Sequence, residues 1–259
     1  MRSTLAATTR LLPPVDIEGP KVRLGLVWAV VTTIAVLLGP VTTSIAFAAV
    51  ALAAAGQTCR SWKGRPADRP YRPVAVIGAT VCALAGSAGP VAVAAAAGFA
   101  TVAGLAASQL RWGGRDWNAR TTVAIAVVVG VGAASPVVIR DQLGVVAALV
   151  FLAWVHAVDA STFIVGSGAS NRWEGPVAGA ASAGAIGLAV AAVLVPPFRG
   201  ASPWILAATT AVLVPAGTMV ATAVLGRDEA PVPGLRRLDA FLVVGPVWAL
   251  LGRVLLDLA

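Results

Sequence analysis

The chain has 259 residues, 58% of them hydrophobic and only 12% charged, with a mean hydropathy of +0.88. So much apolar side chain cannot be hidden in one aqueous core, which excludes an ordinary soluble domain. The net charge of +8 suits a nucleic-acid binder at first sight, but the basic residues stand in short segments beside apolar runs, where membrane topology and anionic headgroups explain them without nucleic acid.

Inside hydrocarbon, backbone N–H and C=O groups must pair within helices or a closed barrel, and the apolar runs here are too long and too unalternating for barrel strands. The expected fold is an all-α polytopic membrane protein with about nine transmembrane helices and a cytoplasmic N-terminus. Residues 1–20 are expected to form a cytoplasmic tail. They do not read as a signal peptide, because Pro13, Pro14, Asp16 and Glu18 interrupt any apolar stretch. Residues 21–259 then form one transmembrane domain.

The first two spans are predicted at 24–39 and 41–58, parted by Gly39-Pro40. A polar insert at 57–73 follows, too short to bury a core of its own. Spans three and four, 73–89 and 90–110, are parted by Gly89-Pro90, and the remaining runs fall at 121–139, 142–166, 176–195, 203–225 and 238–256. Each is about long enough to cross a ~30 Å hydrocarbon layer. The lysines and arginines support this count independently: with the N-terminus inside, all but Arg140, Arg199 and Arg253 fall in cytoplasmic segments, as the positive-inside rule requires. Cys59 and Cys82 lack metal-ligand spacing and read as packing residues.

Ionisable residues in or beside spans are costly and mark the first places to look for chemistry. In the sixth span His156, Asp159 and Phe163 are spaced i, i+3 and i+7 and share one helix face. Asp159 stands roughly 10 Å before the cytoplasmic helix end at 1.5 Å per residue. His156 is the only histidine, which removes zinc sites that need two; helix-to-helix glue is its simpler role. The next loop carries Ser170, Arg172, Trp173 and Glu174, with Trp173 suited to the interface. The last cytoplasmic loop brings Asp228, Glu229, Arg236, Arg237 and Asp239 to the same leaflet. Carboxylates converging with arginines at one membrane face suit a bound cation and a phosphate-bearing ligand. Solvated charges that only balance one another are the plainer alternative.

Three blocks, DASTFIVG at 159–166, SNRWEGPVAG at 170–179 and PGLRRLDAFLVVGPV at 233–247, occur in an order that resembles bacterial phosphatidate cytidylyltransferases, or CDP-diacylglycerol synthases. That resemblance implies transfer of a cytidylyl group from CTP to phosphatidic acid, with Mg²⁺ or another divalent cation as cofactor, at the cytoplasmic face of the plasma (inner) membrane. It implies catalytic roles for Asp159, Glu174 and Asp239, and metal ligation by Asp159, Asp239 and Asp228. Substrate contacts fall to Ser170, Arg172, Trp173, Arg236 and Arg237. Membrane lipids surround such a protein, and a homodimer is one assembly open to it. The chain departs from the family pattern in three places: the stretch between Gly166 and Trp173 is short, no His-Gly-Gly follows Pro233-Gly234, and Arg236 replaces an aspartate. A non-catalytic relative that binds lipid or a partner membrane protein is therefore the alternative reading.

Overall fold

The computed structural model describes residues 20–62, 68–110, 117–171, 173–193, 196–225 and 232–256. These residues form helices and turns, with no strand among them. The long helices are α1 (Pro20–Leu38), α2 (Pro40–Arg60), α3 (Arg72–Ala85), α4 (Pro90–Gln109), α5 (Ala119–Gln142), α6 (Gly144–Ser167), α7 (Glu174–Val193) and α8 (Ser202–Leu225). The short α9 (Leu235–Leu238) leads through a 3-10 turn, Asp239–Phe241, to α10 (Val244–Leu255).

Among the described residues, seven helical segments are long and apolar enough to cross a membrane: α2, α4 to α8, and the stretch Leu235–Leu255. Leu24–Leu38 and Arg72–Ala88 are shorter apolar helices. Every predicted apolar run is thus mostly helical, with ends shifted by a few residues, and two of the shifted starts have a visible local cause. The run predicted to begin at 142 starts at Gly144, whose φ of 86° turns the chain immediately after α5. The run predicted from 238 is interrupted, because α10 starts only at Val244. There the Asp239 carboxylate accepts a hydrogen bond from the Ala240 N–H at 2.8 Å, and such a local side-chain bond competes with helix continuation.

Sequence signals for helix ends are used as expected at Gly39-Pro40 and Gly89-Pro90. The glycines adopt φ of 127° and 90°, which only glycine tolerates well, and each following proline occupies the first turn of the next helix, where its missing N–H is harmless. Asn118 opens α5 by accepting the Thr121 N–H at 3.0 Å, a side-chain cap for an otherwise orphaned donor.

Without a hydrophobic drive between helices in lipid, packing depends on close approach and interlocking shape. Small residues provide it. Gly130 of α5 lies against Ala79 and Cys82 of α3, and Gly78 of α3 lies against Ala100 and Ala126. Cys82 and Cys59 are free and buried, in keeping with packing roles. At the centre Phe47, Phe151, Phe241, Trp154, Trp248 and Phe198 form a continuous aromatic cluster, with ring centroids from 5.1 to 6.4 Å apart.

Two side-chain contacts fix the ends of this bundle. Arg140, at the end of α5, donates to the Val36 carbonyl of α1 at 2.7 Å. At the start of α1, Gly25 lies beside the Arg237 guanidinium. Eleven residues of helix separate Gly25 from Val36, about 16 Å at 1.5 Å per residue. The Arg236-Arg237 segment therefore occupies the end of the bundle where α1 begins, opposite the Arg140 end.

Candidate functional site

The α6 face predicted from the i, i+3, i+7 spacing meets α1 and the 3-10 turn. His156 Nε2 shares a hydrogen bond with Thr32 Oγ1 of α1 at 3.2 Å. Its ring stands edge-on to Phe241 with centroids 5.7 Å apart. Thr32 is fully buried. His156 accordingly joins α6 to α1 and to the central aromatic cluster, which is the role of glue between helices.

The segment before α10 is laid across α2. The Gly234 N–H donates to Gln57 Oε1 at 2.8 Å, and a side chain at Gly234 would meet the Ala54 backbone N at 2.9 Å. Glycine is therefore required for the chain to lie so close. Leu235 and Leu238 are buried on either side of Arg236 and Arg237 and anchor the short helix that carries the two arginines. Asp239 follows at 6% exposure. One of its oxygens accepts the Ala240 N–H, and the other lies 3.6 Å from Arg236 Nη1. Gly217 of α8 closes the far side: a Cβ there would overlap the Asp239 carbonyl oxygen.

Asp159 completes the constellation. It lies within electrostatic range of Arg236, Arg237 and Asp239, and its side chain is exposed whereas Asp239 is buried. Two carboxylates and two guanidiniums, drawn from α6 and from the segment before α10, thus form one cluster. Its formal charges cancel, so neither sign is buried alone, and burying an unpaired charge is what costs most. The guanidiniums can present paired donors to phosphate oxygens.

The α6–α7 connection forms a separate, tightly bonded turn. Glu174 is the first residue of α7, and its Oε1 accepts from Ser170 Oγ at 3.0 Å and from the Asn171 N–H at 3.1 Å. The Trp173 N–H in turn donates to Asn171 Oδ1 at 3.2 Å. An acid at this position also complements the positive end of the α7 dipole. Trp173 itself is 59% exposed, as an interfacial tryptophan would be. The turn reaches towards Asp159 through close backbone packing, because Gly175 lies against the Thr162 carbonyl and Gly166, and Gly179 against Val158 and Thr162. Glu174 thereby sits one to two turns along α6 from Asp159. Arg172 and Asp228, with Arg227 and Glu229, lie outside the described residues.

Of the residues singled out from sequence, the structure gathers Asp159, Asp239, Arg236 and Arg237, and it joins Ser170 to Glu174 locally. Sequence reasoning missed Thr32, Gln57, Gly25 and Gly217, each of which holds a member of the site in place. Gly217 carried a faint signal as the one glycine of α8. Among the described residues no group of three or more His, Cys, Asp or Glu side chains could hold a metal ion. Comparison with protein-family models, curated proteins and solved structures finds no match for this chain.

Proposed function

We propose that this protein transfers a cytidylyl group from CTP to phosphatidic acid, giving CDP-diacylglycerol and pyrophosphate, with nine spans, the N-terminus inside and the site facing the cytoplasm. What carries the reading is that Asp159 of α6 stands within electrostatic range of Asp239, Arg236 and Arg237. With Glu174 the two aspartates make up the three acids that the resemblance assigns to catalysis, and Asp239 is paired with Arg236 at the end of the helix bundle where α1 begins.

In the proposed reaction a phosphate oxygen of the lipid attacks the α-phosphorus of CTP, and the bond to the β-phosphate breaks as pyrophosphate leaves. Two anions must approach, so positioning and charge neutralisation supply nearly all the acceleration. Arg236 and Arg237 orient phosphate oxygens. Buried Asp239 holds Arg236, and the Ser170–Glu174 turn fixes the start of α7 beside the site. Two hard carboxylate donors within one electrostatic field suit Mg²⁺, which takes one or two carboxylates with water and substrate phosphates. Asp159 and Asp239 would hold it, and it would supply further neutralisation of phosphate charge.

A second reading rests on the Arg236–Asp239 pair. An acid already matched by its own arginine is internally satisfied, as a non-catalytic lipid- or partner-binding relative would need. The two readings part on pyrophosphate release from purified protein in phosphatidic-acid vesicles with CTP and Mg²⁺. Turnover predicts release that needs both substrates and falls at least about a hundredfold in Asp159→Asn. A folded wild-type protein that releases none supports the second reading.

A further inference from the structure

On the far side of α2 from the site, α2 and α3 border an open groove of about 350 Å³ lined by Leu52, Ala53, Gly56, Arg60, Arg72, Pro73, Val76 and Ile77. Its construction follows from the two helices. Gly56 faces Val76, with 3.8 Å between the Val76 methyl and the place where a Gly56 Cβ would stand. Arg60 comes four residues after Gly56 and Arg72 four residues before Val76. Both arginines consequently stand one helical turn, about 6 Å, beyond that contact at the same end of the groove. Leu52 lies two turns below Arg60, about 12 Å along the helix. The absence of a side chain at Gly56 keeps the space between them open.

The lining is divided by chemistry along its length. Arg60 and Arg72 form the rim, and Arg60 Nε donates to the Gly56 carbonyl at 3.3 Å, which ties its guanidinium to another lining residue. Among the described residues no carboxylate lines the groove. The segment from 60 to 72 also carries Lys63, Arg65 and Arg69 against the single acid Asp68. Below the rim every lining residue is apolar, and Leu52 and Ile77 are 51% and 58% exposed. A charged rim above an exposed apolar channel, in a chain of apolar membrane-length helices, matches an amphiphile with its head at the arginines and its tail along Leu52 and Ile77.

We infer that this groove is a binding site for an anionic glycerophospholipid, separate from the site at Asp159 and Asp239. Such a site requires only that the chain be embedded in a membrane. The headgroup phosphate pairs with Arg60 and Arg72, and one acyl chain lies against Leu52, Ala53 and Ile77. A zwitterionic lipid fits the channel equally well but brings its own cation to a rim already doubly positive. A free phosphate fits the rim but leaves the channel empty.

The test uses the full-length protein purified in mild detergent, with phosphatidylglycerol and phosphatidylcholine of identical acyl chains added in turn. Retained lipid is counted by native mass spectrometry. The site predicts selective retention of phosphatidylglycerol, falling by roughly an order of magnitude in Arg60→Gln/Arg72→Gln and recovering in Arg60→Lys/Arg72→Lys. Ala53→Phe, which fills the channel and leaves both charges, should lower retention as well. Inorganic phosphate should not displace the lipid. Equal retention of the two lipids, or undiminished phosphatidylglycerol on folded Arg60→Gln/Arg72→Gln protein, would overturn the proposal. So would displacement by phosphate alone, or a lipid-independent second copy of the chain in its place.

Discussion

Arg236 and Asp239 form an i, i+3 ion pair, 3.6 Å from Nη1 to Oδ2, in which the carboxylate is buried and the arginine only partly so. Removing the arginine strands a charge away from water, whereas neutralising the acid does not. Arg236→Gln should therefore lower stability by about 1 to 3 kcal/mol, and Asp239→Asn by less, although Asp239→Asn should abolish turnover. The double variant should recover part of the loss. Thermal unfolding of all four proteins in one detergent closes the cycle.

Gly217 offers a test of packing around the same acid. A methyl group there would overlap the Asp239 carbonyl, while one at Gly184 of α7 would meet nothing within 4 Å. Gly217→Ala should cost about 1 to 3 kcal/mol through overpacking. Gly184→Ala should be neutral or stabilising by up to roughly 1 kcal/mol, from helix propensity and a less disordered unfolded chain. A pair of melting curves decides it, and equal effects would mean that α8 does not press on Asp239.

The Gln57 amide holds the Gly234 N–H, tying the site segment to α2. Gln57→Leu should leave that donor without a partner and loosen residues 232–238. A lost hydrogen bond of about 1 kcal/mol corresponds to roughly fivefold faster amide exchange. Hydrogen–deuterium exchange of the peptide spanning Gly234 measures this, with the α5 core as the unchanged internal reference.

Thr32 and His156 should matter for assembly more than for chemistry. Thr32→Val keeps the shape and removes the hydroxyl that meets His156 Nε2. Stability should fall by about 1 kcal/mol while pyrophosphate release, assayed on the folded fraction, persists. Loss of turnover at unchanged stability would instead give His156 a part in catalysis.

The residues differ in how far they announced their roles. Gly39-Pro40 and Gly89-Pro90 carry their backbone chemistry in two letters, so those helix boundaries were readable directly. His156, Asp159 and Phe163 were legible as one face because helical spacing is local. The partners of that face were not: Thr32 lies 124 residues from His156, and Gln57 lies 177 residues from Gly234. No local pattern encodes such pairings, which arise only when helices choose neighbours. The sequence links Asp159 with Asp239 only through resemblance and an expected shared leaflet. The break before α10 was hidden because its residues are as apolar as those of the helix, and hydropathy does not register a carboxylate bonding to the next N–H.

Cytidylyl transfer at the Asp159–Asp239 cluster can be followed with two labels of CTP added to phosphatidic-acid vesicles carrying the purified protein. Label from the α-phosphate should enter the lipid fraction, label from the γ-phosphate should appear in water as pyrophosphate, and Asp159→Asn should stop both. A folded protein that moves no α-label into lipid, or one that moves γ-label instead, would contradict it.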